Sequence, residues 1–192
     1  MVVKNIAVLF SGSGSNLQAI LEKIHNKIFN GVKIKVALLI CNNPNAKGIK
    51  RAKKFGLETI VINHRDYDSR EEFDQALVDE IKKYDIDLSV LAGFMRILTP
   101  VFTDNIKAIN LHPSILPLFK GANAISQSYN SDMKIGGVSV HWVSSQLDSG
   151  EIIAQKSFAR KHKSLKEWEE KIHKIEHKLL PKTIIEILAK GK

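Results

Sequence analysis

Short continuous apolar runs alternate along the chain with stretches whose apolar positions recur every three or four residues. Residues 4 to 10 form the first such run and, bounded by turn residues, read as a buried strand. After Ser11-Gly-Ser-Gly-Ser15, the positions Leu17, Ile20, Leu21, Ile24 and Ile28 keep helical spacing, with Asn30-Gly31 as the expected stop. Residues 35 to 40 predict a second strand, 46 to 55 a basic helix ended by Gly56, and 59 to 62 a third strand. Ser69-Arg-Glu-Glu72 has the spacing of a capping box, opening a helix whose inward face is Phe73, Leu77, Ile81 and Tyr84. Residues 88 to 92 are apolar throughout, as a strand covered on both faces must be. Strands and helices in this order predict right-handed crossovers and an α/β fold: a doubly wound, mostly parallel sheet with helices on both faces.

Beyond Asn110 the pattern changes. Val138, Val140 and Trp142 alternate with Ser139, His141 and Val143, residues 152 to 158 are again extended, and Asp148-Ser-Gly150 supplies the turn between them. These predict a pair of neighbouring strands added at one side of the sheet. Ser164-Leu-Lys-Glu167 is a second capping box, for a helix whose face is Leu165, Trp168, Ile172, Ile175 and Leu179, with Pro181 expected to kink or divide it. With no internal repeat, linker or low-complexity tract, one domain over residues 1–192 is the economical reading.

Composition adds limits rather than detail. Hydrophobic residues at 44% and charged residues at 26% fit a globular protein, and no apolar run reaches the length of a membrane span. Residues 1 to 10 lack the pattern of a signal peptide, and the single Cys41 excludes an internal disulfide, so a cytoplasmic protein is expected. The net charge of +9 favours an anionic partner. Its lysines are spread through every predicted helix rather than gathered in a stripe, so a small polyanion fits as well as nucleic acid does.

Two stretches can carry chemistry. The turn Ser11-Gly-Ser-Gly-Ser-Asn16 lies between a strand and a helix, where backbone N–H groups and the helix dipole favour an anion. It is no dinucleotide fingerprint, since the third glycine would fall at Leu17 and Cys41-Asn-Asn43 has no carboxylate for a ribose. A Walker A ending is missing too. A single phosphate fits best, the alternative being glycines that merely bring helix and sheet together. In Asn110-Leu-His112-Pro-Ser114, side chains two apart on a strand project to one side, and Pro113 ends the strand at His112. These two residues either cap a turn or act on a substrate. With Asp148 at the same sheet edge, the amide and a protonated imidazole could stabilise a tetrahedral oxyanion while the carboxylate raises the His pKa, which is acyl transfer without a covalent intermediate. Ser13 is not in a nucleophile elbow, and Cys41 has no evident partner.

Four segments together, Ser11 to Ile20, Val90-Leu-Ala-Gly-Phe-Met-Arg-Ile-Leu98, Asn110 to Pro117 and Leu147-Asp-Ser-Gly150, resemble the folate-dependent phosphoribosylglycinamide formyltransferases nearly end to end. The resemblance implies transfer of the formyl group of 10-formyltetrahydrofolate to the amine of phosphoribosylglycinamide in purine synthesis. Asn110, His112 and Asp148 fall on the catalytic positions, with His112 as proton donor, and Gly14, Ser15 and Asn16 on the phosphate loop, with Glu176 also binding this substrate. Folate contacts fall on Arg70, on Met95, Arg96, Ile97 and Leu98, on Asn110, and on Ser144, Ser145, Gln146, Leu147 and Asp148. It further implies a phosphate-binding half of about residues 1–100, a folate-binding and catalytic half of about 101–192, a monomer or homodimer, and no metal, nucleic acid or membrane. Where some relatives carry His two residues after Phe119-Lys-Gly121, this chain has Asn123, read as orienting substrate. The rivals are a formyltetrahydrofolate hydrolase on the same scaffold, for which the phosphate loop would have no acceptor to bind, and a basic nucleic-acid-binding domain, suggested by charge alone.

His173-Lys-Ile-Glu-His177 has the form of an inverted zinc-protease motif but no evident third ligand, and reads as a solvated helix face. His141 reads as structural, and His25, His64 and His162 as surface residues. Met95 to Leu98 would on composition alone be core.

Overall fold

The computed structural model describes residues 1–161 and 164–190, so His162 lies outside the described residues. Strand β1 (Val2–Phe10) leads into helix α1 (Ser15–Lys23); β2 (Lys27–Phe29), β3 (Val32–Cys41), α2 (Lys47–Lys54), β4 (Ile60–Val61), α3 (Arg70–Ile81), β5 (Leu88–Leu91) and the short α4 (Pro100–Thr103) follow. The second part holds β6 (Ala108–His112), α5 (Ala124–Asn130), β7 (Ile135–Trp142), β8 (Ile152–Ala159) and the long α6 (Leu165–Leu188). The strands form one eight-stranded sheet in the order β2-β3-β1-β5-β6-β7-β8, with β4 paired to β3. Its centre, β3-β1-β5-β6, is parallel, and the expected pair β7 and β8 is added antiparallel beyond β6.

Period-two alternation sorts each central strand between two cores. Ile6, Val8 and Phe10 of β1 pack in the layer that includes Leu17 and Ile20 of α1 and Trp168, Ile172 and Leu180 of α6. Ala7 and Leu9 face the other layer, built on Phe73, Leu77 and Ile81 of α3 and Phe102 of α4. Strand β6 is divided the same way: Ile109 and Leu111 belong to the α1/α6 layer and Ala108 to the α3/α4 layer. Asn110 and His112, in phase with Ala108, therefore share the α3/α4 face.

Three expectations need correction. The first helix stops at Lys23, and Ile28 lies on edge strand β2, 58% exposed. Asn30 and Gly31, with φ of 48° and 80°, form the two-residue turn of a β2–β3 hairpin rather than a helix stop, since both central residues of such a turn need the left-handed region. Tyr84 falls past the end of α3 and is partly exposed. Of the kink or division expected at Pro181, division does not occur, for α6 runs unbroken through it. Proline has no N–H for the His177 carbonyl one turn earlier, and Lys23 Nζ from α1 donates to that oxygen instead, at 2.5 Å. Among the described residues no helix is long and apolar enough to cross a membrane.

Candidate active site

A cleft of about 730 Å³ opens at the carboxyl ends of the parallel strands, where open α/β sheets bind ligands. The loop Ser11–Asn16 lines it together with Asn42–Asn45, Asn63–Arg65, Leu111, Pro113, His173 and Glu176. Gly14 stands at the N-cap of α1 with φ 72°, no side chain caps this helix, and its first turn holds no acidic residue. First-turn N–H groups without a side-chain partner suit an anion. The glycine is also required sterically, because a Cβ here would lie 2.6 Å from the Cα of Gly48 at the start of α2. The contact is fixed by Gly48 N donating to Gly12 O at 3.0 Å and Arg51 Nε donating to Ser13 O at 2.8 Å.

Glu176 closes the cleft from α6. It is 5% exposed, and its Oε2 accepts from Asn16 Nδ2 at 3.1 Å and from His173 Nδ1 at 2.9 Å. Of residues 173–177, His173 and Lys174 do lie on a solvated face, whereas Glu176 is buried where α6 packs on α1 beside the glycine-rich loop. Among the described residues no group of three His, Cys, Asp or Glu side chains is placed to hold a metal ion.

Asn110, His112 and Asp148 meet on the other face of β6. Asp148 Oδ1 accepts from Asn110 Nδ2 at 3.3 Å, and Oδ2 lies 3.3 Å from His112 Nδ1 and accepts from Gly121 N at 2.8 Å. His112 Nε2 is 2.7 Å from the Phe119 carbonyl, so both ring nitrogens are engaged. Burial opposes ionisation of Asp148, but the hydrogen bond to His141, the Gly121 amide and the neighbouring His112 outweigh it and hold the carboxyl below the usual range. The route to this meeting differs from expectation. Strand β7 runs antiparallel, so the β7–β8 connection leaves beside the start of β6, with Val143 N donating to Ala108 O, and must fold back over the strand to bring Asp148 to His112.

His141, read as structural from the sequence, packs against this cluster. It pairs with Asn110 in the β6–β7 register, is 2% exposed, and its Nε2 lies 3.2 Å from Asn110 Nδ2 and 3.5 Å from Asp148 Oδ1. Its Nδ1 is bonded to the Trp142 carbonyl at 2.8 Å. A Cβ on Gly150 would sit 1.8 Å from that same oxygen, which explains the glycine two residues after Asp148. The signal was present in the alternation, where two polar positions, Ser139 and His141, share one phase of a buried strand. His25 and His64 are not plain surface residues either: His25 Nδ1 accepts from Val36 N, and His64 Nδ1 contacts Asn42.

The remaining candidates line the rim. Met95 and Ile97 are 78% and 49% exposed rather than core, whereas Leu98 is buried among the α3/α4 side chains. Arg96 lies over the Phe73 ring, and its buried Nε has no hydrogen-bond partner. Arg70 is exposed at the first position of α3, where the dipole disfavours a cation. Ser145, Gln146 and Leu147 are exposed, Ser144 is half-buried and donates to Gln146 O, and Leu147 reaches Gly121. Asn123, at the N-cap of α5 with φ 62°, is exposed; Asn is among the few residues that tolerate the left-handed region.

An open α/β sheet with a glycine-rich cleft on one side of a strand and an Asn-His-Asp cluster on the other has the groups that acyl transfer needs. Comparison with known proteins narrows this. The family profile described as formyl transferase matches residues 4–184. A phosphoribosylglycinamide formyltransferase of Bacillus subtilis is 35% identical over 97% of this chain and 95% of its own length, and one of Escherichia coli is 40% identical over 79% and 71%. The crystal structure of the Campylobacter jejuni phosphoribosylglycinamide formyltransferase superposes with a TM-score of 0.96 at 60% identity, covering 98% of this chain and 99% of that one. The chain belongs to the phosphoribosylglycinamide formyltransferase family and is a transferase.

Proposed function

We propose that the amine of phosphoribosylglycinamide attacks the formyl carbon of 10-formyltetrahydrofolate at β6, in the purine-synthesis step for which the family is named. The observation that carries this assignment is the convergence of Asn110, His112 and Asp148 within 3.3 Å at the sheet edge that also bears the glycine-rich cleft. In this reading Gly14, Ser15 and Asn16 hold the phosphate, and Glu176 the rest of that substrate. Asn110 Nδ2 and protonated His112 stabilise the oxyanion of the tetrahedral intermediate, and ionised Asp148 orients His112 and supports its charge. The formyl oxygen replaces the Phe119 carbonyl on His112, so loop 114–121 yields when the donor binds.

The folate donor is assigned to Arg70, Met95, Arg96, Ile97, Leu98 and Ser144–Asp148. Exposed Met95, Ile97 and Leu147 offer apolar surface to a pterin. The chain acts as one domain in which residues 1–100 supply most of the phosphate site and 101–192 the catalytic cluster. We place it in the cytoplasm, where family members of purine synthesis work, as a monomer or homodimer.

An assay with both substrates, following folate absorbance, tests the reading. His112→Ala should lower kcat by about 10²- to 10⁴-fold while leaving affinity for the phosphorylated substrate within a few-fold. Unchanged turnover in that variant would defeat the assignment, and formate release without formylated product would point to a hydrolase.

A further inference from the structure

The segment 93–99 is anchored at both ends by hydrogen bonds. At its start Ser11 N donates to Gly93 O at 3.0 Å, and Ser11 Oγ accepts from Met95 N at 2.7 Å. At its end Asp74, a carboxylate of α3, receives both donors of Thr99 on one oxygen: Oδ2 accepts from the amide at 2.5 Å and from the hydroxyl at 2.7 Å. Residues 96–98 in between belong to no helix or strand, and side-chain packing rests them on α3. Phe94 stacks on Phe73 at 6.4 Å between centroids, Arg96 lies over the same ring, and Leu98 is buried in the α3/α4 core. Thr99 is also the N-cap of α4, yet its side chain does not cap that helix; its hydroxyl is turned to Asp74 instead. Resting on the assignment of residues 95–98 to the folate donor, we propose that Asp74 is a positioning residue of this enzyme, which through Thr99 fixes the chain against which the donor is bound.

Both partners are out of water, Asp74 at 1% and Thr99 at 5% exposure, so solvent does not compete for these bonds. Asp74 follows Arg70 by one turn of α3, and residues four apart on a helix share a face. The bonds to Thr99 therefore set the spacing between the helix that presents Arg70 and the segment that presents Met95 and Ile97. Pro100 restricts Thr99 to the extended region it occupies, so holding its amide also holds the direction in which the chain leaves Leu98. For stability alone a carboxylate is a poor choice here. Its Oδ1 is buried with no hydrogen-bond partner among the described residues, and burial, aided by Glu71, pushes the carboxyl above its ordinary range against the Thr99 bonds and Arg70. What it supplies, and an apolar side chain of the same size does not, is one oxygen that accepts an amide and a hydroxyl together.

The test is how the two Michaelis constants divide. Asp74→Ala should raise KM for 10-formyltetrahydrofolate by roughly tenfold, the lower end of what a hydrogen bond to a charged group is worth, while KM for phosphoribosylglycinamide stays put. In Asp74→Asn the amide oxygen can still accept both bonds from Thr99, so the folate KM should return to within about threefold of the parent although the charge is gone. Thr99→Val keeps the amide bond and the core volume and deletes the hydroxyl; it should raise the folate KM several-fold in the parent and leave it unchanged in the Asp74→Ala background. It carries the test alone if Asp74→Ala does not fold, an unchanged folate KM then counting against the proposal. An Asp74→Ala protein that melts lower but keeps the parent folate KM, or that raises both constants equally, has lost only stability and overturns the positioning role. If Met95→Ala and Ile97→Ala, at exposed positions, also leave the folate KM unmoved, the assignment of the segment to the donor is what fails.

Discussion

Replacing Gly48 by alanine adds one carbon where the structure has no room for it. The new Cβ would lie 2.5 and 2.7 Å from two ring carbons of Phe10 and 3.2 Å from the Cα of Gly14. Ordinary contact begins near 3.4 Å, so the Phe10 ring has to retreat by about 1 Å, and it is fully buried in the α1/α6 core. Overpacking of this kind costs about 1–3 kcal/mol. Alanine recovers about 1 kcal/mol of helix propensity in α2, which leaves a net loss of up to about 2 kcal/mol and a melting temperature lower by up to about 8 °C in a chain of this length. The same displacement strains the Gly48 N to Gly12 O bond, so KM for the phosphorylated substrate should rise several-fold. Gly12→Ala is the control, since nothing lies within 4 Å of its added carbon and its φ is not left-handed; its melting temperature should hold or rise slightly. Thermal melts of the three proteins decide the matter. If Gly48→Ala melts with the parent and with Gly12→Ala, the close approach of the phosphate loop to α2 is not what holds the cleft.

His25 accepts the Val36 amide, and burial, with Lys35 and Lys33 nearby, pushes its ionisation below the ordinary histidine value. A group depressed in the folded state favours folding fully above its unfolded value of about 6.5 and ceases to as pH falls through the folded value. Melting temperature should therefore decline between pH 7 and 5, with a shallower decline in His25→Gln; identical slopes would remove His25 from the account. Lys23→Met should cost under about 1 kcal/mol, because water can reach the freed His177 carbonyl. In a Pro181→Ala background, where a backbone N–H serves that carbonyl, the same change should cost measurably less, and additive losses in the double-mutant cycle would contradict the pairing.

Most of the sheet was legible because buried parallel strands must be apolar on both sides, which marked β1, β3 and β5 without ambiguity. The Asn30-Gly31 hairpin was hidden by Ile28, whose place in a helical period is an accident of spacing; an edge strand exposing that side chain satisfies the same letters. At the site, Asn110 and His112 could be paired by period alone. His141 could not, since its partnership rests on a register between strands 31 positions apart, and that register is set by tertiary packing. Nor could the path of Asp148, for strand direction in β7 is not written in its residue types. Glu176 stood out only through resemblance, and its burial depends on how α6 lies across α1.

Strand β6 shows Leu111 to one layer and Asn110 with His112 to the other, so on the proposed assignment the two reactants approach the end of this strand from opposite sides. An amine arriving through the α1/α6 side and a formyl donor through the α3/α4 side need not pass one another. Neither has to be first. Initial-rate lines should intersect with either substrate varied, each product should inhibit competitively only against the reactant whose side it shares, and a surplus of one substrate should not trap the enzyme in an idle complex.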